Sequence, residues 1–349
     1  MDDKEIIDGL RLFLINMEDY ENDYIVNNFD YLFSLLDYVK NHISSFSLGY
    51  EYIKDIERRL PIYNIKDLFK FVDDFNKRFK IDISIDDLVN KGIIDLSRER
   101  YEGLTSDKRD YMIDADGFCR NNRTTIWVEN EGSLSNAFTL IHELSHYKDC
   151  IKGNNATIYW FTEALAITEE MIGAYISNQD DEIAYNFYMR TFFSVKALVK
   201  WYKILPMILT YQKFSCIDMD SYSLLFKPES YSKYYKLFFD VVNKKYYKLN
   251  KDHFMDKKVV NKNVFSSLLD DLKYGIGFIV AIHLFNRFKD NNSYMDEIQK
   301  MHKLVNELSV EDFINYLGFK GMSLEEICKP VIEFVSDINK YGKNDVKSL

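Results

Sequence analysis

Five consecutive residues near the middle of the 349-residue chain have the types and spacing of a metal site. His142 and His146 are four positions apart in the sequence His-Glu-Leu-Ser-His, and Glu143 directly follows the first of them. On an α-helix, positions i and i+4 share one face, so both imidazoles can bind one metal ion. Glu143 lies one step round the helix, where its carboxylate can bind a metal-activated water rather than the metal. The spacing therefore predicts a catalytic zinc site, which needs a third protein ligand and one open position.

We expect the third ligand on the next helix. Glu163 stands among apolar residues after a predicted helix break at Gly153. A charge in such surroundings is costly unless it is paired or bound to a metal. A helical hairpin would return Glu163 to the two histidines, and Glu170, on the same face, could hydrogen-bond a ligand histidine. The alternative is that Glu163 is a first-turn acid that only favours the helix dipole.

A strand before the metal helix is a candidate substrate-binding element. Residues 124–129 alternate in the manner of a β-strand and lead directly into that helix. Zinc peptidases commonly bind an extended substrate as an additional strand at a sheet edge. The predicted substrate-binding residues of this strand are Ile126, Trp127 and Val128.

The sequence Tyr274-Gly275-Ile276-Gly277 is the candidate for stabilising the oxyanion of peptide hydrolysis. A tyrosine hydroxyl can donate to the oxyanion, and Gly275 and Gly277 would allow close approach of the backbone to substrate. The alternative is a core tyrosine at the start of a helix, since the chain has 26 tyrosines.

Other acidic residues and histidines are weaker candidates. Asp149 and Glu169 lie near the motifs in sequence and are weaker ligand candidates. His42, His283 and His302 have no arrangement typical of metal ligands and are expected to be core or surface histidines.

The elements that position these residues are expected to be mostly helices. The chain has only 13 glycines and 4 prolines, and apolar residues recur at helical spacing outside residues 111–129. Ser84 and Ser323 are predicted helix N-caps. We therefore expect a mainly α-helical fold with one small antiparallel β-sheet beside the metal-binding helix. A change of pattern near residue 105 predicts an N-terminal helical lobe, 1–105, and a catalytic domain, 106–349.

The composition and charge of the chain argue against several classes of function. The net charge of −10 argues against a nucleic-acid partner. No apolar run is long enough to span a membrane, and the N-terminus lacks the pattern of a secretory signal. The four scattered cysteines are typical of reduced thiols, so a cytoplasmic location is expected. The sequence does not indicate an oligomeric state.

Taken together, the motifs resemble the thimet oligopeptidase and oligoendopeptidase F family of zinc peptidases. The resemblance covers roughly residues 108–335. Its segments are Gly117-Phe-Cys119, Ala137 to His146, Phe161-Thr-Glu163 with Glu170, and Tyr274 to Gly277. It implies a zincin-like helical metallopeptidase with one zinc ion per chain. The roles that it implies are His142, His146 and Glu163 as ligands, Glu143 as general base, Glu170 beside a ligand and Tyr274 at the oxyanion.

Three departures from the family pattern leave alternatives open. The link between His146 and Glu163 is short, and Lys262-Asn-Val264 replaces a family histidine. The N-terminal half, which roofs the substrate channel in that family, is much reduced. The leading hypothesis is a cytoplasmic zinc endopeptidase or oligopeptidase that acts on short or unfolded peptides. The alternatives are a regulatory zinc protease that cuts one protein, and a peptide-binding relative that no longer cuts. Manganese or cobalt in place of zinc also remains open.

Overall fold

A computed structural model describes the parts of the chain that carry the predicted motifs. The described residues are 61–95, 117–120, 123–128, 134–150, 159–177, 257–305 and 310–344, with single residues 35, 38, 39, 42, 188, 307 and 308. The predicted domain boundary at residues 105 and 106 and the predicted helix break at Gly153 lie outside these residues. Both remain predictions.

The described residues are mainly α-helical, which confirms that part of the fold prediction. The elements in chain order are α1 (Ile65–Arg78), α2 (Ile85–Asn90), β1 (Ile94–Asp95), β2 (Gly117–Arg120), β3 (Arg123–Val128), α3 (Leu134–Cys150), α4 (Tyr159–Ser177), α5 (Lys257–Asp290), α6 (Tyr294–Leu304), α7 (Val310–Tyr316) and α8 (Leu324–Asn344). No helix within the described ranges combines the length and the apolar character that crossing a membrane requires.

The chain forms two compact units. One comprises Met1–Ser44 and Val195–Ile276, and the other comprises Ser45–Ser194 and Gly277–Leu349. The second unit contains α1 to α4, the three strands, the last part of α5, and α6 to α8. Both predicted ligand helices, α3 and α4, belong to this second unit.

Side-chain caps begin two helices as predicted. The Ser84 hydroxyl accepts from the backbone N–H of Asp87 at the start of α2, at 3.4 Å. At α8, the Ser323 hydroxyl accepts from the backbone N–H of Glu326 at 3.2 Å, and the Glu326 carboxylate accepts from the backbone N–H of Ser323 at 2.7 Å. These reciprocal bonds satisfy donors that the first turn of a helix leaves free, so both predicted caps are confirmed.

Helices α3 and α4 pack against each other in the core of their unit. Residues 137–145 of α3 and 161–174 of α4 are all buried. Helix α4 is thus buried on every side over these residues, although it carries Glu163, Glu169 and Glu170 among its apolar side chains. Gly173 allows the close approach, because a Cβ atom there would lie only 2.7 Å from Ile141 Cδ1. The predicted ligands therefore lie on two tightly packed helices.

The three strands form a mixed sheet that contacts α3. β3 is the central strand, antiparallel to β2 and parallel to β1, with Ile94 opposite Ile126. The sequence predicted a purely antiparallel sheet, and the parallel pair is the difference. β1 has only two residues and enters the sheet from the end of α2 instead of from a hairpin, which makes a parallel pairing possible.

Candidate metal centre

Three side chains on α3 and α4 converge at one point. His142 and His146 project from successive turns of α3, and their Nε2 atoms are 3.1 Å apart. Glu163 Oε2 lies 3.6 Å from His142 Nε2, and Glu163 Oε1 lies 3.4 Å from His146 Nε2. His142 and Glu163 are buried, and His146 is partly exposed. The helical hairpin thus brings the predicted third ligand to the two histidines.

The separations fit a metal ion bound by all three side chains. Nitrogen and oxygen ligands at about 2.1 Å from a tetrahedral zinc ion lie about 3.4 Å from one another. The three observed separations of 3.1, 3.4 and 3.6 Å scatter around this value. His142, His146 and Glu163 therefore form a group that could hold a metal ion. Neutral imidazoles and a carboxylate suit zinc, and they do not by themselves exclude other transition metals.

No protein-family model matches this chain. Searches of curated proteins and of solved structures found no match either. The resemblance to the thimet oligopeptidase family therefore remains a hypothesis, and the metal centre is interpreted from its own geometry.

A second carboxylate orients one of the two imidazoles. Glu170 lies two turns after Glu163 on α4, and its Oε2 atom is 2.9 Å from His142 Nδ1. If His142 Nδ1–H donates to Glu170, its Nε2 atom is left to face His146 and Glu163. A carboxylate behind a ligand histidine fixes the tautomer and ring orientation that metal binding needs. The predicted contact between Glu170 and a candidate ligand histidine is thus present in the structure.

The electrostatics of the site favour a cation. Burial lowers the pKa of His142, but hydrogen bonds with Glu163 and Glu170 outweigh burial and raise it to about 9. Burial and the nearby Glu170 carboxylate also hold the pKa of the Tyr188 phenol well above its usual value. Two buried carboxylates thus supply a negative potential that either a proton on His142 or a metal ion can neutralise.

Glu143 is buried on α3 between the two histidines, with 5% of its surface exposed. The i and i+4 histidines point to one side of the helix, and Glu143 is rotated about 100° from His142. Its role as general base remains a prediction.

The predicted oxyanion segment lies in the interior of the long helix α5, not at a helix start. Tyr274 is half-buried, and both it and Gly275 belong to the compact unit that does not contain the ligands. Their predicted roles at the oxyanion and substrate remain predictions.

Gly277 has a packing position that the sequence analysis did not foresee. A Cβ atom at this residue would lie 3.1 Å from the backbone nitrogen of Ala164 and 3.2 Å from Glu163 Cβ. Helix α5 therefore packs closely against α4 at Glu163, the predicted third ligand. The role of Gly277 in substrate binding remains a prediction, and the structure adds a contact with the ligand helix.

The strand predicted to offer a substrate-binding edge is the central strand of the sheet. β3 pairs with β2 on one side, and with β1 at Ile126 and Trp127 on the other. The Ile126 side chain is completely buried, and its backbone N–H donates to the carbonyl oxygen of Ile93 at 2.6 Å. The expectation of a free β3 edge is therefore wrong at these two residues, because β1 already occupies it. Side-chain contacts of Ile126, Trp127 and Val128 with a substrate remain a prediction.

A second buried polar cluster, which the sequence did not predict, adjoins the proposed metal centre. It consists of Ser145, Lys148, Asp149, Glu169, Gln299 and His302. The available signal was the position of His302 on the apolar face of α6, whose buried residues also include Met295, Ile298 and Met301. A histidine on such a face needs buried partners.

Proposed function

We propose that this chain is a zinc-dependent peptidase that hydrolyses internal bonds of oligopeptides or unfolded segments. The observation that carries the proposal is the convergence of His142, His146 and Glu163 to separations of 3.1 to 3.6 Å. Glu143 lies on the same helix, between the two histidines. Two histidines and a glutamate leave one zinc position open, as catalytic zinc sites require.

Each residue has a distinct part in the proposed reaction. His142, His146 and Glu163 would hold one zinc ion per chain, and Glu170 would keep the His142 ring in its binding orientation. Bound zinc would supply Lewis acidity that lowers the pKa of water and polarises a carbonyl. Glu143 would accept the proton of the attacking water and pass it to the leaving amine. Tyr274 would donate a hydrogen bond to the developing oxyanion.

The proposed partner is a peptide, and the proposed location is the cytoplasm. The motif resemblance to thimet oligopeptidases supports a peptide substrate, and the scattered cysteines support a reducing compartment. The two alternatives remain a regulatory protease with a single protein substrate and a peptide-binding protein that no longer cuts. Breadth of cleavage distinguishes the three functions.

The test is cleavage of a mixed peptide library by the zinc-loaded protein, read by mass spectrometry beside Glu143→Gln. Glu333→Gln is the matched control, because it makes the same change at a side chain that is 63% exposed. Loss of a general base lowers the rate about 10²- to 10⁴-fold. We expect cleavage by the wild type and Glu333→Gln, and zinc binding without turnover by Glu143→Gln. Normal turnover by Glu143→Gln would refute the mechanism.

The same assay separates the alternatives. Cleavage of many peptides supports the proposed oligopeptidase-like function. No cleavage by folded, zinc-loaded protein would favour a dedicated protein substrate or a binding function. His146→Ala should lose both zinc and activity, since it removes a ligand.

A further inference from the structure

A closed network of charges joins α3, α4 and α6 beside the proposed metal centre. Lys148 Nζ donates to both carboxylate oxygens of Glu169, at 2.6 and 2.7 Å. Gln299 Nε2 donates to Glu169 Oε1 at 2.6 Å. His302 Nε2 lies 3.1 Å from Glu169 Oε1, and His302 Nδ1 lies 3.0 Å from Asp149 Oδ1. Asp149, Glu169 and His302 are buried, and the Lys148 side chain is only 12% exposed.

The geometry specifies the protonation state of His302. A neutral imidazole has one N–H and one bare nitrogen, so it can donate to only one of two carboxylates. Each ring nitrogen of His302 faces a different carboxylate oxygen, and with both carboxylates ionised the two bonds form together only if the ring is an imidazolium. The network then contains two cations, Lys148 and His302, and two anions, Asp149 and Glu169. This balance is what four buried charges require.

The pKa shifts agree with this arrangement. Burial and the Lys148 charge act to lower the pKa of His302, but Asp149 and Glu169 outweigh both and raise it above its ordinary value. Burial acts to raise the pKa of Glu169, but Lys148 and His302 outweigh burial and lower it to about 2.

The network resembles a hydrolase triad in outline but cannot act as one. Ser145 Oγ lies 3.4 Å from His302 Nε2, and Asp149 lies at the opposite nitrogen, in the order serine, histidine, aspartate. A triad needs a bare Nε2 to take the serine proton. Here Glu169 Oε1 is closer to Nε2 than the serine is, and Ser145 is completely buried. The network therefore has a different role.

Its position relative to the ligands indicates that role. Lys148 and Asp149 are two and three residues after His146 on α3. Glu169 is the neighbour of Glu170, which binds the His142 ring, on α4. His302 and Gln299 of α6 contact Glu169, and His302 also contacts Asp149. The network thus connects the turns next to the ligands on both ligand helices.

We propose that His302 is a positioning residue for the metal centre, which holds α3 and α4 in the register that lets His142, His146 and Glu163 bind one ion. The inference rests on the proposed metal site and extends it to a residue 139 positions after the third ligand. Partners behind metal ligands typically contribute about 10- to 100-fold to metal affinity. His302 contacts neighbours of the ligands and not the ligands themselves. We therefore expect a loss of zinc affinity near the lower end of this range, about tenfold.

The test compares zinc affinity, by chelator competition, of the wild type and of Glu169→Gln/His302→Gln. This double variant removes one anion and one cation, so the charge near the metal site does not change. The matched control is His283→Gln, which alters a partly buried 2.6 Å bond from His283 Nε2 to the carbonyl oxygen of Ile327, between α5 and α8. We expect about tenfold weaker zinc binding by the double variant and unchanged binding by the control.

Nitrogen NMR of the wild type supplies a readout that needs no variant. Both ring nitrogens of His302 should be protonated at pH 7, and a bare ring nitrogen would overturn the proposal. Wild-type affinity in the double variant would also overturn it, as would an equal loss in His283→Gln. If the double variant does not fold, His302→Gln alone carries the test, with weaker zinc binding again expected and unchanged affinity overturning the proposal. A wild type that binds no zinc would instead refute the proposed function on which this inference rests.

Discussion

Gly277→Ala probes how tightly α5 holds the third ligand. The added Cβ would lie 3.1 Å from the Ala164 backbone nitrogen, 3.2 Å from Glu163 Cβ and 3.4 Å from the Glu163 carbonyl carbon. Two of these neighbours are backbone atoms of a buried helix, so a side-chain rotation cannot relieve the contact. α4 must move by a few tenths of an ångström, and it carries Glu163 with it.

Two opposing effects set the change in the free energy of unfolding that Gly277→Ala causes. Alanine in a helix interior is about 1 kcal/mol more favourable than glycine. Overpacking of a buried site costs about 1 to 3 kcal/mol. The net loss in the free energy of unfolding is therefore about 0 to 2 kcal/mol, which leaves the protein folded. Metal ligands must be held within about 0.5 Å, and a shift of a few tenths of an ångström takes up most of that range, so we expect zinc affinity to fall about 3- to 10-fold.

The assay measures chemical denaturation and zinc affinity of Gly277→Ala beside Gly173→Ala. The second substitution is also in a buried helix, but its Cβ meets the end of a flexible side chain, Ile141 Cδ1 at 2.7 Å. A change of the Ile141 rotamer can relieve that contact, so Gly173→Ala should keep wild-type zinc affinity. Unchanged zinc affinity in Gly277→Ala would refute the argument that α5 packing positions Glu163.

Three further predictions concern charge at and beside the site. Because Glu163 and Glu170 raise the pKa of His142 to about 9, zinc must displace its proton at lower pH. Zinc affinity should then fall about tenfold for each pH unit from 8 to 6, and titration calorimetry in buffers of different ionisation enthalpy should detect proton release. A pH-independent affinity would contradict this. Glu170→Gln should weaken zinc binding about 10- to 100-fold with the fold intact, checked by chelator competition and circular dichroism. The pKa of Glu169 falls from 4.5 to about 2 on folding, so its contribution to stability is complete above about 4.5 and is lost as pH decreases to about 2. It amounts to about 3 kcal/mol, and Glu169→Gln should flatten this part of the acid unfolding profile.

Local spacing was sufficient to predict the part of the site that lies on two helices. The positions of His142 and His146 on one face follow from helical periodicity alone. Glu163 and Glu170 could be added because a charge in an apolar helix needs a partner, and a hairpin supplies one. The N-caps at Ser84 and Ser323 depend on contacts within three residues, which are visible in sequence.

Contacts between distant segments could not be predicted in the same way. His302 meets Asp149 across 153 residues, and no local pattern indicates that pairing. The close packing of Gly277 on Glu163 depends on where α5 docks, not on the residues around the glycine. The parallel pairing of β1 was missed because two residues carry no recognisable strand period.

Zinc K-edge X-ray absorption of the purified protein tests the central claim most directly. The account predicts one zinc ion per chain with nitrogen and oxygen ligands at about 2.0 to 2.2 Å and the multiple-scattering signal of two imidazoles. His146→Ala should lose one imidazole signal or the ion itself. Sulfur ligands at about 2.3 Å, or a wild-type protein that retains no zinc, would contradict the assignment of His142, His146 and Glu163 as a zinc centre.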